Sequence, residues 1–289
     1  MSAIVTSIPT RPNGIWLALR SNRAAWIGLG LLSVIILAAV FAPWLAPHDP
    51  LQQHIIYRLN PPSSEFWLGT DSYGRDVLSR LIYGARISLL VGFVAVFIAM
   101  MIGSSLGVLA GYLGGYFDQL VMGLVDVLLS FPTLLLGLMI AAMLGASLEN
   151  LIIAIAITEI APFVRIARAP TIAVKQRDFI EAGRALGFSP LRLMAIHIVP
   201  NIASDIIVLA SLWVASAIRT EAALSFIGLG VPPPTPTWGG MIHEGFANIL
   251  DAWWLTVFPS LAILITVLAL NLLGDALRDV LDPKLRSGQ

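Results

Sequence analysis

Four stretches of this chain run without a charged residue: Ala24 to Ala46, Ile87 to Phe117, Val127 to Leu148 and Ala252 to Gly274. An apolar run of about 20 residues is long enough to cross hydrocarbon as a helix. Helix is the state that satisfies every backbone polar group within the segment. Composition agrees, since 57% of the 289 residues are hydrophobic and 12% are charged, against about a quarter charged in an ordinary globular chain. An all-α polytopic membrane protein is therefore expected.

Two further apolar blocks carry charge. Asn150 to Ile166 holds Glu159 and Pro162, and Ile202 to Leu229 holds Asp205, Arg219 and Glu221. Both count as spans, because lysine and arginine favour the cytoplasmic side and the loops must alternate. The segment before the first span has Arg11, Arg20 and Arg23 with no acid, and Arg165 to Asn201 has six basic residues against Asp178 and Glu181. These belong inside, with the tail that carries Arg278, Lys284 and Arg286. Gly228 to Asp251 has no Lys or Arg, and Gly145 to Asn150 has only Glu149, so these belong outside. Six membrane helices with both termini cytoplasmic meet these placements together. The first block exceeds the roughly 7–15-residue apolar core of a signal peptide and is expected to remain as a helix. The resulting organisation is a cytoplasmic segment 1–23, a first helix 24–46, an external loop 47–86, a five-helix core 87–278 containing a basic loop 174–200, and a tail 279–289.

Several chemistries are excluded. The chain has no cysteine, and His48, His54, His197 and His243 lie far apart, so no metal site is expected. Zero formal net charge and the lack of a basic-aromatic cluster give no reason to expect nucleic acid. A P-loop needs Gly-x4-Gly-Lys-Ser/Thr; the lysines are Lys175 and Lys284, after Val174 and Pro283, so ATP cannot be held here in that way. No cofactor is expected.

The external segments have their own order. Val77, Leu78, Leu81 and Ile82 recur at helical spacing opposite Arg75, Ser79 and Arg80, which suggests a short interfacial helix. Asp76 and Arg80 stand at i,i+4. Arg75, Arg80 and Arg86 either sit in the headgroup layer or contact a substrate or partner. VPPPTPTWGG, from Val231 to Gly240, favours a stiff extended backbone with Trp238 at the membrane interface. It is either a docking surface that includes Pro234 and Trp238 or a rigid connector.

The basic loop reads as two short helices with a tight corner. Lys175 to Leu186 has helix-forming composition, with Asp178 and Glu181 near its start and Arg184 near its end, as the helix dipole favours. Gly187 fits the position just past the end. Ser189 and Pro190 supply an N-cap and first-turn proline for a second helix, and Pro200 marks its end or the start of the next span. Asp178, Glu181 and Arg184 form a polar stripe beside the small Ala182 and Gly183. Local chemistry alone leaves open a solvated loop or a docking surface.

EAGRALG followed by HIVP resembles the EAA loop of ABC-importer permeases: Glu-Ala-Ala, three residues, Gly, nine residues, then Ile-x-Leu-Pro. Gly183, His197 and Val199 depart from that pattern, while Glu181, Gly187 and Pro200 keep its spacing. WLGTDSYGRDVLSRLIYGARISL, EAALSFIGLGVPPPTPTWGGM and NLLGDALRDVLDPK resemble C-type permeases of the dipeptide, oligopeptide, nickel and glutathione importers. The resemblance spans most of the chain from Phe66 to Lys284. It implies the type I importer permease fold in a bacterial inner membrane, a second permease subunit that is a different chain, two cytoplasmic ATPase subunits and an external substrate-binding protein. It implies no enzymatic activity in this chain. The basic loop would be a coupling helix seated in an ATPase groove: Glu181 facing basic groups, Ala182 and Gly183 allowing close seating, Arg184 completing the polar stripe, and Gly187, Phe188, Ser189, Pro190 and Pro200 shaping the corner and its exit.

Charges inside the spans are costly in lipid. Asp126, Glu159, Arg219 and Glu221 either make structural polar contacts or line the translocation path; Asp205 lies near the cytoplasmic surface. Gly103, Gly107 and Gly111 recur every four residues, which favours close helix packing. The competing function is an ion-coupled secondary transporter that uses the intramembrane carboxylates.

Overall fold

The computed structural model describes residues 23–281, so segment 1–23 lies outside it except for Arg23, and tail 279–289 is described as far as Leu281. Helix α1 (Arg23–Val40) is followed by the short α2 (Ala42–Leu45), and an irregular stretch leads to α3 (Val77–Leu113). Next come α4 (Gly115–Leu129), α5 (Thr133–Leu144) and α6 (Leu148–Lys175). The short α7 (Asp178–Ala185) and α8 (Pro190–Arg192) precede α9 (Val199–Phe226), and α10 (Trp238–Phe246) precedes α11 (Trp254–Leu281). No strand occurs among the described residues.

Helices α1, α3, α6, α9 with the turns from Pro190 onward, and α11 are long and apolar enough to cross a membrane. Helices α4 and α5 together make a sixth candidate crossing, bent by 93°. The apolar run from Val127 to Leu148 is thus not one straight span. Pro132 cannot donate a backbone hydrogen bond, and its ring disfavours helical backbone at Phe131, so the chain breaks between Leu129 and Thr133.

A second correction concerns the expected interfacial helix. Residues 77–86 are the first turns of α3, which continues without a break to Leu113. The helix starts at Asp76, whose carboxylate accepts from the Ser79 N–H at 2.8 Å. Its end is set by Gly114 and Gly115, both at positive φ. The irregular segment between α2 and α3 therefore closes at Asp76 rather than at Arg86.

The core is centred on α3 and α6. A Cβ placed at Gly103 would lie 2.6 Å from the Ile160 carbonyl oxygen, and one at Gly107 would lie 2.4 Å from that of Val164. Only glycine lets the two backbones approach so closely, which is what the four-residue spacing favoured. Helix α9 packs on α3, α6 and α11, and α1 packs on α11 and α3. Arg165 and Arg168 belong to α6 rather than to the loop after it. They pair with Asp126 at 2.6 Å and with Asp118, tying α6 to α4.

Candidate functional site

The corner between α6 and α9 is built almost entirely by local rules. Helix α7 ends in a Schellman motif: Gly187 takes φ +78°, its N–H donates to Arg184 O at 2.9 Å, and the Phe188 N–H donates to Gly183 O at 3.0 Å. Ser189 then caps α8, its hydroxyl accepting from the Arg192 N–H at 3.3 Å, with Pro190 in the first turn. The second helix does not stop at Pro200. It widens into a π-turn over Leu193–Ile198, where the Val199 N–H reaches Met194 O, and runs on into α9 with Pro200 in the first turn. Such a widened turn accommodates the ring and the missing N–H of a proline inside a continuous helix.

Aromatic and basic side chains brace the corner. The Phe188 ring stacks on His197, with centroids 5.9 Å apart and 7° between the planes, and Arg192 lies 4.1 Å from its centroid on a cation–π contact. Lys175 donates to the Tyr112 carbonyl, and the Arg184 guanidinium lies 5.7 Å from the Tyr112 ring, so the corner is anchored to the end of α3. Gly183 is buried, and a Cβ there would meet Leu193 Cδ2 at 2.8 Å and Phe188 Cδ2 at 3.2 Å. Its smallness serves packing inside this chain, which corrects the expectation that it opens a seat for a partner. Asp178, Glu181, Ala182 and Arg184 are exposed, as are Ser189, Pro190 and Pro200. Leu186 and Leu191, 75% and 74% exposed, flank Gly187 as an apolar tip that charge and spacing did not single out.

On the opposite end, the expected docking residues are largely interior. Arg75 and Arg80 are 3% and 1% exposed. Arg75 pairs with Asp71 and Glu244, both at 2.6 Å, and Arg80 with Glu244 at 3.0 Å and Asp71 at 3.4 Å. Both guanidinium groups are held inside the protein by these pairs, and Asp76 caps α3 instead of pairing with Arg80. Trp238 is 2% exposed; its indole N–H donates to Leu81 O at 3.0 Å, and its backbone N–H donates to Ser88 Oγ at 3.3 Å. Thr237 caps α10, so the stretch ends in a helix rather than running extended to Gly240. Pro234 remains exposed.

The charges inside the spans separate into three cases. Asp126 is paired with Arg165. Glu221 is fully buried and accepts from Ser225 Oγ at 2.7 Å. Glu159 is buried on α6, while Arg219 on α9 is exposed. A Gly-x-Ser-x-Gly spacing at Gly103 to Gly107 lies within α3, where Ser105 Oγ donates to Met101 O; it lacks the strand-to-helix turn on which a hydrolase nucleophile stands.

Residues 103–287 match the family described as the inner membrane component of binding-protein-dependent transport systems, and residues 13–62 match the N-terminal transmembrane domain of oligopeptide transport permease C. The chain belongs to the binding-protein-dependent ABC importer permeases. Among curated relatives, the dipeptide transport system permease protein DppC of Escherichia coli strain K12 is 47% identical over 98% of this chain and 97% of that protein. The di/tripeptide transport system permease protein DppC of Pseudomonas aeruginosa strain UCBPP-PA14 is 45% identical over 96% of this chain and 94% of its own length. The glutathione transport system permease protein GsiD of Shigella flexneri serotype 5b strain 8401 is 45% identical over 94% and 90%.

A solved chain of the MetNI methionine ABC transporter, inward facing, aligns with a TM-score of 0.56 at 19% identity, covering 70% of this chain and 96% of that chain. At that identity the likeness concerns the fold, and the fold is that of a type I importer permease. A permease of this family is an inner-membrane transport component that works with ATPase and binding-protein partners. The driving force is thereby assigned to ATP hydrolysis on partner subunits, and nothing favours the ion-coupled alternative.

Proposed function

We propose that this chain is the C-type permease half of an ATP-driven importer for peptides or a related small solute, paired in the membrane with a second, different permease subunit. The substrate class rests on relatives that span nearly the whole chain and serve di- and tripeptide, dipeptide and glutathione transport. Both termini are cytoplasmic, and the segments 47–76 and 227–253 face the binding protein.

The corner at Gly187 is the coupling element. One observation carries this reading: an internally braced corner presents an exposed apolar tip, Leu186 and Leu191, beside exposed Glu181 and Ala182. Large apolar side chains held in the open on a braced support are characteristic of a surface that a partner covers. Glu181 supplies an anionic contact and Ala182 a close approach, while Gly183, Phe188 and Ser189 hold the shape.

Co-purification with the ATPase subunits tests the assignment. Glu181→Ala, and separately Leu186→Ser with Leu191→Ser, are expected to insert in the membrane at wild-type levels and to lose at least tenfold in ATPase association. Wild-type association in both variants contradicts the coupling role.

A further inference from the structure

An ion pair stands open halfway along the bundle. Lys175 donates to the Tyr112 carbonyl, so the ends of α3 and α6 lie level, and α4 starts beside them at Gly115. From that end, Asp126 is about 17 Å along α4 and Arg165 about 15 Å back along α6, at 1.5 Å per residue. Both are close to half the thickness of a hydrocarbon layer of about 30 Å. The two side chains pair at 2.6 Å, yet 62% of Asp126 and 52% of Arg165 stay exposed. Depth sets this pair apart from Arg86, which is also exposed but stands about 40 Å along α3 from Leu113, more than the hydrocarbon thickness. Glu159 and Glu221, in contrast, are buried within this chain.

The pair sits in a polar stripe. Gln119, Gly123 and Asp126 follow at intervals of four and three on α4, with Ser130 next in the series at the helix cap, and all four are exposed. A Cβ at Gly123 would meet nothing within 4 Å, whereas those at Gly103 and Gly107 would strike α6. The close approach that Gly123 permits is therefore unused among the described residues. Of α4, Val121 and Val125 are buried. Acyl chains offer no hydrogen bonds to such a face, and charged groups left against them are costly. Small and polar side chains are those through which membrane helices pack on one another.

Building on the importer reading with two permeases, we propose that this face of α4, with Arg165 beside it, is the surface on which the second permease subunit packs, through a helix whose polar side chains complement the Asp126–Arg165 pair. Depth selects the occupant. The ATPase subunits lie on the cytoplasmic side and the binding protein outside, and neither reaches groups about 15 Å within the layer, whereas a second membrane-spanning chain does. Both signs of charge are presented, so the complement is a set of side chains that donate to Asp126 and accept from Arg165, as hydroxyls and amides do. Gly123 admits that helix at close range.

The test uses the complete transporter in its native membrane. Gln119 and Ser130 are replaced, one at a time, by the photo-crosslinking amino acid p-benzoylphenylalanine, and the adducts are identified by mass spectrometry. Adducts that carry peptides of the second permease are expected. Adducts with lipid alone at both positions overturn the proposal, and adducts with a second copy of this chain, an ATPase subunit or the binding protein in place of the second permease overturn the choice of partner. Gly123→Trp, for which this chain has room, is expected to insert at wild-type levels and to lower recovery of the second permease at least tenfold. Wild-type recovery in that variant overturns the close packing at Gly123. A wild-type complex that holds no second, different permease contradicts the two-permease reading itself, a different result from a complex that holds one and crosslinks to lipid alone.

Discussion

At the scale of single residues, the groups most exposed to substitution are those whose partners come from far along the chain. Glu244 joins Arg75 and Arg80 from across the sequence, so Glu244→Gln leaves two buried guanidinium groups sharing Asp71 alone. Breaking a buried ion pair from one side costs roughly 3–5 kcal/mol; a clear fall in the thermal midpoint in detergent is the expected outcome, and an unchanged midpoint contradicts it. Gly107 and Gly30 make a second pair of opposites. A Cβ at Gly107 meets Val164 O at 2.4 Å, whereas one at Gly30 meets nothing within 4 Å. Gly107→Ala is expected to cost about 1–3 kcal/mol as overpacking, and Gly30→Ala to leave the midpoint nearly unchanged. The glycine spacing was legible because one helix face carries it. The burial of Arg75, Arg80 and Trp238 was not, because Glu244, Leu81 and Ser88 meet them only once the bundle has formed.

At the scale of elements, local chemistry decided what could be read in advance. The cap at Ser189, the positive-φ glycine at 187 and the first-turn proline at 190 act within a few residues of themselves, and the corner stands where they place it. Two boundaries differ from expectation, where apolar content masks a break or charge suggests one. Pro132 breaks an unbroken apolar run, and α3 continues through Arg80 and Arg86 because its polar side chains find partners or lie near its start. The smallness of Gly183 points to a partner in the sequence, whereas Leu193 and Phe188, ten and five residues on, fold back over it. Gly187→Val puts a β-branched side chain at φ +78° and is expected to spoil the corner. Phe188→Ala removes the ring stacked between His197 and Arg192. In both variants insertion should persist while protease cleavage between Gln176 and Pro200 quickens; unchanged cleavage would show that the bracing is not needed.

At the scale of the whole molecule, the described residues form a bundle of five long helices and one bent pair, locked by buried ion pairs at the Arg75 end and braced at the Gly187 corner. The chain has no P-loop, and the family to which it belongs couples transport to partner ATPases. Energy therefore has to enter through a surface, and the exposed tip at Leu186 and Leu191 is the surface proposed for it. The most direct measurement is uptake of a radiolabelled dipeptide by vesicles carrying the complete complex and its binding protein, with ATP supplied on the cytoplasmic side. Uptake that needs ATP, stops with vanadate and continues with an ionophore present is the expected result; uptake that continues without ATP and collapses with the ionophore contradicts it.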